Sequence, residues 1–246
     1  MRALRLDLEY DGSGFVGWAA QPGQRTVEGE LRRALGIVLR EDPELRVAGR
    51  TDAGVHATGQ VASVSTANAI ASDRLERALG GLLPDDLAAT RVQDAAPGFD
   101  ARADARSRAY EYRLLVGSAS PLRRARTLRV RGALDVGAMN DAAAACRGQH
   151  DFRAFTPTRT QHVFFERTVL ECRWDLRGDE LVLSIEADAF LRHMVRVIVG
   201  TMLLVGRRTW SVEQFAALLH GAQRAHAGPT APAHPLTLVS VTYPSR

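Results

Sequence analysis

Hydrophobic and polar positions alternate from the start of the chain. Leu4, Leu6, Leu8 and Tyr10 share one face while Arg5, Asp7 and Glu9 share the other, the period of a half-buried strand. After a glycine-rich loop the period lengthens. Val27, Leu31, Ala34, Leu35 and Val38 fall at helical spacing, with Thr26 placed as N-cap. Short strands are predicted at Leu45–Ala48 and Gln60–Thr66. A second helix carries Leu75, Ala78, Leu79 and Leu82, with Ser72 as its cap and Pro84 as its stop. Leu87–Gln93 reads as a further strand. The order βαββαβ is that of a ferredoxin-like unit.

The second half repeats the plan. Arg108–Val116 alternates, placing Tyr110, Tyr112, Leu114 and Val116 on one face, and a helix follows through Val136, Met139, Ala142, Ala143 and Cys146. Strands at Val169–Leu176 and Leu181–Asp188 flank the turn Arg177-Gly178-Asp179. A strongly apolar helix is predicted from about Phe190 to Val205, and another after a capping box of Ser211 and Gln214. Leu236–Tyr243 closes the chain as a strand. The expected fold is therefore α+β, two tandem ferredoxin-like halves (residues 1–100 and 101–246) with a cleft between them as the natural site. The stretch 148–167 is too long for an ordinary loop, so it is either functional or contains unrecognised structure.

Composition narrows the class. The 246 residues are 46% hydrophobic and 24% charged, which fits a globular chain and excludes a disordered or fibrous one. No apolar run is long enough to span a bilayer, and MRALRLDLEY has no signal-peptide core, so no membrane association is expected. Two cysteines cannot build a disulfide scaffold, and a reduced, cytoplasmic setting follows. All 32 basic residues are arginines, which removes any Walker or Schiff-base lysine. Nine of them lie between Arg102 and Arg131 against only Asp104 and Glu111, a local charge of +7 within a total of +4. Such a cluster is either a footprint for a polyanion or a solvated face.

Candidate motifs divide sharply. Gly12-Ser13-Gly14-Phe15-Val16-Gly17 matches G-x-G-x-x-G after a strand, yet helical periodicity begins only near Val27 and no acidic residue ends the next strand. A dinucleotide fold needs the helix to open on the glycines, so this cofactor reading fails. The seven histidines include no H-E-x-x-H and the cysteines are far apart, so no metal site is expected. No G-x-S-x-G elbow is present. The segment Ala48-Gly49-Arg50-Thr51-Asp52-Ala53-Gly54-Val55-His56 instead offers a short carboxylate between small residues on a turn after a strand. By residue type alone, Asp52 suits either an Asx turn or work as a nucleophile or base.

That segment resembles the signature of TruA-type tRNA pseudouridine synthases, and the resemblance continues along the chain. Tyr10–Trp18 is similar to the family's first strand and loop. Phe99-Asp100-Ala101-Arg102 with Arg108-Ala109-Tyr110-Glu111-Tyr112 is similar to its central basic strand. Phe190–Arg196 running into Ile198-Val199-Gly200 resembles its late helix, and Ala231-Pro232-Ala233 with Leu236–Val241 its C-terminal strand. Ala19, Ala103 and Pro235 depart from the family pattern, and none of them is a presumed catalytic residue.

The resemblance implies a pseudouridine synthase fold and conversion of uridine to pseudouridine at nucleotides 38 to 40 of the tRNA anticodon arm, with no metal or organic cofactor. It makes Asp52 the nucleophile and Arg196 the cation paired with it. Arg50 would enter the space vacated by the flipped nucleotide, and Tyr110 would stack on the uracil. It further implies a homodimer whose partner is tRNA, with the 102–131 arginines on RNA phosphates. Two other classes compete. A non-catalytic RNA-binding module would want stacking aromatics on its sheet, but aromatics are 6% of the chain. A nucleotide-cofactor oxidoreductase would rest on the glycine loop already rejected.

Overall fold

In the computed structural model, which describes residues 1–160 and 162–244, the alternating start of the chain becomes β1 (Arg2–Tyr10), with Leu4, Leu6 and Leu8 sealed on one face. The helical stripe becomes α1 (Val27–Leu39), which buries Val27, Leu31, Ala34, Leu35 and Leu39. Its cap is the predicted one: the Thr26 side chain accepts the Gly29 amide. β2 (Leu45–Val47), β3 (His56–Thr66), α2 (Ser72–Leu82) and β4 (Leu87–Ala95) complete the order βαββαβ. Ser72 does not cap α2. Ala71 holds that position, and the Ser72 hydroxyl bonds the Asp94 carboxylate at 2.9 Å, tying the helix start to β4.

Two compact units make up the chain, Met1–Arg106 with the segment from Thr237 onward, and Ser107–Leu236. In the first, β1 lies between β3 and β4 and is antiparallel to both, so that Leu6 sits opposite Ala62 on one side and Val92 on the other. β2 pairs antiparallel with the later part of β3, Leu45 opposite Val64. The last strand, β10 (Leu236–Thr242), runs parallel to the beginning of β3 with Thr237 opposite His56. Residues 96–106 pack onto this sheet. Ala101 joins Ala48 and Val61 in a small core beside Phe99, Val241 and Tyr243. The Ala101 amide donates to Ser63 Oγ (3.0 Å) and its carbonyl accepts the Tyr243 hydroxyl (2.7 Å).

The second unit holds β5 (Ser107–Val116), β6 (Leu128–Val130), α3 (Val136–Ala145), β7 (Gly148–Asp151), β8 (Glu166–Arg177), β9 (Glu180–Ala187), α4 (Met194–Gly206) and α5 (Val212–Ala217). Its strands run in the order β6-β5-β9-β8-β7, antiparallel except for β5 with β6. The predicted turn at Gly178 joins β8 to β9 with a φ of +65°, and the Ser211–Gln214 capping box opens α5. Core formation centres on α4, nearly all of whose residues are buried. Asn140 ties α3 to β8 by accepting the Trp174 amide and donating to its carbonyl.

Three expectations change here. α4 begins at Met194 rather than near Phe190, because His193 sits in the left-handed region at φ +62° and the helix cannot extend back through it. Among its described residues the long stretch 148–167 contains β7, a 3-10 turn at Arg153–Phe155 and the start of β8, and Gln161 within it lies outside the described residues. β6 was not expected, since three residues carry too little periodicity to register. No helix among the described residues is long and apolar enough to cross a membrane.

Candidate functional site

Asp52 and Arg50 lie in the first unit, on the loop between β2 and β3. The Asp52 carbonyl accepts the Val55 amide at 3.1 Å, closing a tight turn whose third residue, Gly54, has φ +78°. A positive φ at that position is what glycine supplies in a type II turn. Arg50 is exposed, Asp52 half-buried and Thr51 buried. The loop therefore presents the carboxylate and the arginine while anchoring the residue between them.

The glycine-rich loop 12–17 braces this turn. A Cβ on Gly12 would stand 2.0 Å from the Val55 carbonyl oxygen, and one on Gly17 (φ +84°) 2.9 Å from that of Thr51. The two glycines thus allow backbone to lie directly on backbone. The Gly12 amide donates to Nδ1 of buried His56 (3.0 Å), and the Trp18 amide donates to the Thr51 carbonyl (3.0 Å). Arg25 secures the outer side of the loop. Its guanidinium lies 4.2 Å from the Phe15 ring centroid and forks onto Asp86 at 2.7 and 2.8 Å. The Arg25 hydrogen bonds hold the Asp86 carboxyl below its ordinary range. So the G-x-G-x-x-G spacing serves contact with the Asp52 turn, and the next helix starts ten residues after Gly17.

Tyr110 and Arg196 belong to the second unit. Tyr110, on β5, is 8% exposed and meets the Phe190 ring edge-on at 5.1 Å between centroids. Half-buried Arg196 stands in the first turn of α4 and is clasped by the 228–232 segment. Its Nε donates to the Ala231 carbonyl (2.8 Å), and the Ala231 amide donates back to the Arg196 carbonyl (3.0 Å). A Cβ on Gly200 would fall 1.8 Å from the Pro229 carbonyl oxygen, so glycine admits that segment against the helix. Tyr112 donates its hydroxyl to the Pro232 carbonyl at 3.1 Å, and burial pushes that hydroxyl's pKa well up.

The arginine run proves heterogeneous. Arg108 is buried and donates to the Asp188 carbonyl. Arg113 pairs with Glu111 and Glu180, and Arg123 with Asp179 and Glu180. Arg124, Arg126, Arg129 and Arg131 are exposed. Local charge counting does not reach Asp179 and Glu180, which lie at the β8–β9 junction more than fifty residues beyond Arg123. Hydrophobic spacing places Tyr10 on the apolar face of β1 and gives no role to Thr51 or Gln60. All three lie within the matched motifs or one strand from them.

With the geometry of both units in view, comparison with known proteins defines the class. Residues 142–244 match the profile of a family described as tRNA pseudouridine synthase. Over 99% of its length the chain is 45% identical to a tRNA pseudouridine synthase A of Chloroflexus aurantiacus, covering 90% of that protein. It is 46% identical to the Frankia casuarinae protein of the same name over 98% of the chain and 89% of that protein. For the Thermus thermophilus one the figures are 45%, 99% and 98%. The chain belongs to the tRNA pseudouridine synthase A family, and with it to the isomerases.

Proposed function

We propose that the protein isomerises uridine to pseudouridine in tRNA, at positions 38, 39 and 40 of the anticodon arm, with Asp52 as the nucleophile. The N1–C1′ bond breaks, the uracil turns, a C5–C1′ bond forms, and the proton lost from C5 is balanced by one gained at N1. No atom is added or removed, so the reaction calls for no co-reactant. A carboxylate suits it, since it can add to C1′ or to the ring and later leave. A stacked uridine must first be extruded, at a cost of a few kcal/mol. Exposed Arg50, two residues before Asp52, is assigned to the vacated space, and Tyr110 to the face of the uracil. Arg196 is assigned to the reaction as the cation that pairs with the aspartate. Arg124, Arg126, Arg129 and Arg131 are assigned to RNA phosphates. The enzyme acts as a cytoplasmic homodimer in this reading.

The observation that carries the proposal is the braced turn at Asp52, a short carboxylate presented on rigid backbone within a chain of this family. Incubating the protein with unmodified tRNA transcripts and mapping pseudouridine tests it. Pseudouridine is expected at positions 38 to 40 with the native chain and at none of them with Asp52→Asn. Product at other positions alone would reject the anticodon-arm assignment. Product from Asp52→Asn would reject the nucleophile.

A further inference from the structure

We propose that Tyr10, Thr51 and Gln60 act together as positioning residues for Asp52, through a chain of buried hydrogen bonds. The inference rests on the reading of Asp52 as the nucleophile. All three side chains are shut away from solvent, at 2%, 7% and 0% exposure. The Gln60 amide nitrogen donates to the Gly49 carbonyl (2.7 Å) and to the Tyr10 hydroxyl oxygen (3.2 Å), while its Oε1 accepts the Val61 amide (3.1 Å). The Tyr10 oxygen accepts from Gln60 and shares a second hydrogen bond with Thr51 Oγ1, 2.8 Å away. Burial raises the Tyr10 hydroxyl to about pKa 12, so it stays protonated and uncharged throughout the working range.

The consequence is mechanical. Gly49 is held to β3 by Gln60, and Thr51 is held to the end of β1 by Tyr10, while the Thr51 carbonyl is held by the Trp18 amide (3.0 Å). The residue before Asp52 is thereby fixed on both its side chain and its backbone, and the turn that follows is fixed by Gly12 and Gly17. A nucleophile gains rate from being held within a fraction of an ångström of its target, and displacement of about 1 Å costs up to roughly 100-fold. The chain is neutral throughout, so it orients the loop without placing a charge beside the carboxylate.

Steady-state kinetics on a tRNA transcript test the proposal, using Thr51→Val, Thr51→Ser and Tyr10→Phe, with Asp52→Asn run alongside. Thr51→Val keeps the side-chain size and removes the hydroxyl. It should lower kcat by about tenfold or more, with KM and tRNA affinity held within about twofold. Thr51→Ser should restore kcat. Tyr10→Phe should reproduce the Thr51→Val defect, and the double variant should be no worse than the more impaired single, as for residues acting in one chain. Native kcat in a folded Thr51→Val or Tyr10→Phe variant would overturn the proposal, as would a defect that appears in KM alone or disappears once the temperature is lowered to equalise the folded fraction. If Asp52→Asn is inactive while these variants are native-like, only the positioning role fails. If Asp52→Asn is active, the nucleophile assignment fails and the positioning role falls with it.

Discussion

The loop at Asp52 and the arginine run at 102–131 were both conspicuous in the sequence, and the structure treats them in opposite ways. The loop is held by neutral bonds: two glycines against backbone carbonyls, a tyrosine on a threonine, and an amide spanning Gly49 and Tyr10. Such bonds are indifferent to salt and leave the carboxylate and Arg50 at the surface of the turn. The run is rich in charge, but the fold consumes part of it. Glu180 takes bonds from both Arg113 and Arg123, and Glu111 from both Arg113 and Arg177. A charge tally over a segment therefore overstates what is left for a polyanion, whereas a motif made of backbone constraints keeps its meaning.

The comparison breaks most visibly at Asp52. Asp52→Asn preserves shape and removes the nucleophilic charge, so turnover should fall by roughly 1,000-fold or more while tRNA affinity, read by filter binding, stays put. Next in size is the brace. Gly12→Ala would drive a methyl into the Val55 carbonyl and should cost about 1–3 kcal/mol of stability together with kcat. Gly80→Ala, on α2 with nothing within 4 Å of the added methyl, should instead stabilise by about 0.5–1 kcal/mol and leave kcat alone. Equal effects from the two alanines in thermal melts would remove the special standing of the loop.

Two smaller experiments sharpen the other side. Replacing Arg124 and Arg126 by alanine should weaken tRNA binding and flatten the slope of log K against log salt by about 0.7–0.9 for each phosphate left without its arginine. Arg123→Ala should leave that slope unchanged, because Arg123 already forks onto Asp179. A flattened slope in Arg123→Ala would show that this ion pair opens for RNA. The smallest effect is a pH dependence. Burial alone would raise the Glu111 carboxyl, but the Arg177 hydrogen bond and the Arg113 charge outweigh it and hold it below the ordinary 4.5. A carboxylate depressed in the folded state stabilises above its unfolded pKa and loses that contribution as pH falls through the folded value. The melting temperature of the native chain should therefore fall more steeply below pH 4.5 than that of Glu111→Gln, and the two should run parallel between pH 5 and 7.

What could be read in the sequence was the part encoded within a few residues. The alternation of Leu4, Leu6 and Leu8, the Thr26 cap, the Ser211–Gln214 box and the Gly178 turn are each complete within one or two turns of chain, and each appears where expected. Ser72 misled because its hydroxyl donates to Asp94, brought in by a strand 22 residues away, and Ala71 takes the cap position. Phe190–His193 misled because hydrophobic spacing is blind to one left-handed residue. Tyr10 and Gln60 lie 41 residues before Thr51 and 11 after Gly49, and nothing local marks them as the supports of that loop.

Helix, strand and turn preferences act between near neighbours, so they encode most of the elements and the short segment that presents Asp52, while β6 and β7 escape them. Packing of the whole chain is what sets β10 beside β3, Gly12 and Gly17 under the Asp52 turn, and some arginines onto carboxylates. Those outcomes depend on strand register and on which distant backbone a chain meets. Registers are set when hydrophobic faces close on one another and each buried donor finds an acceptor, conditions that hold only for the folded chain as a whole.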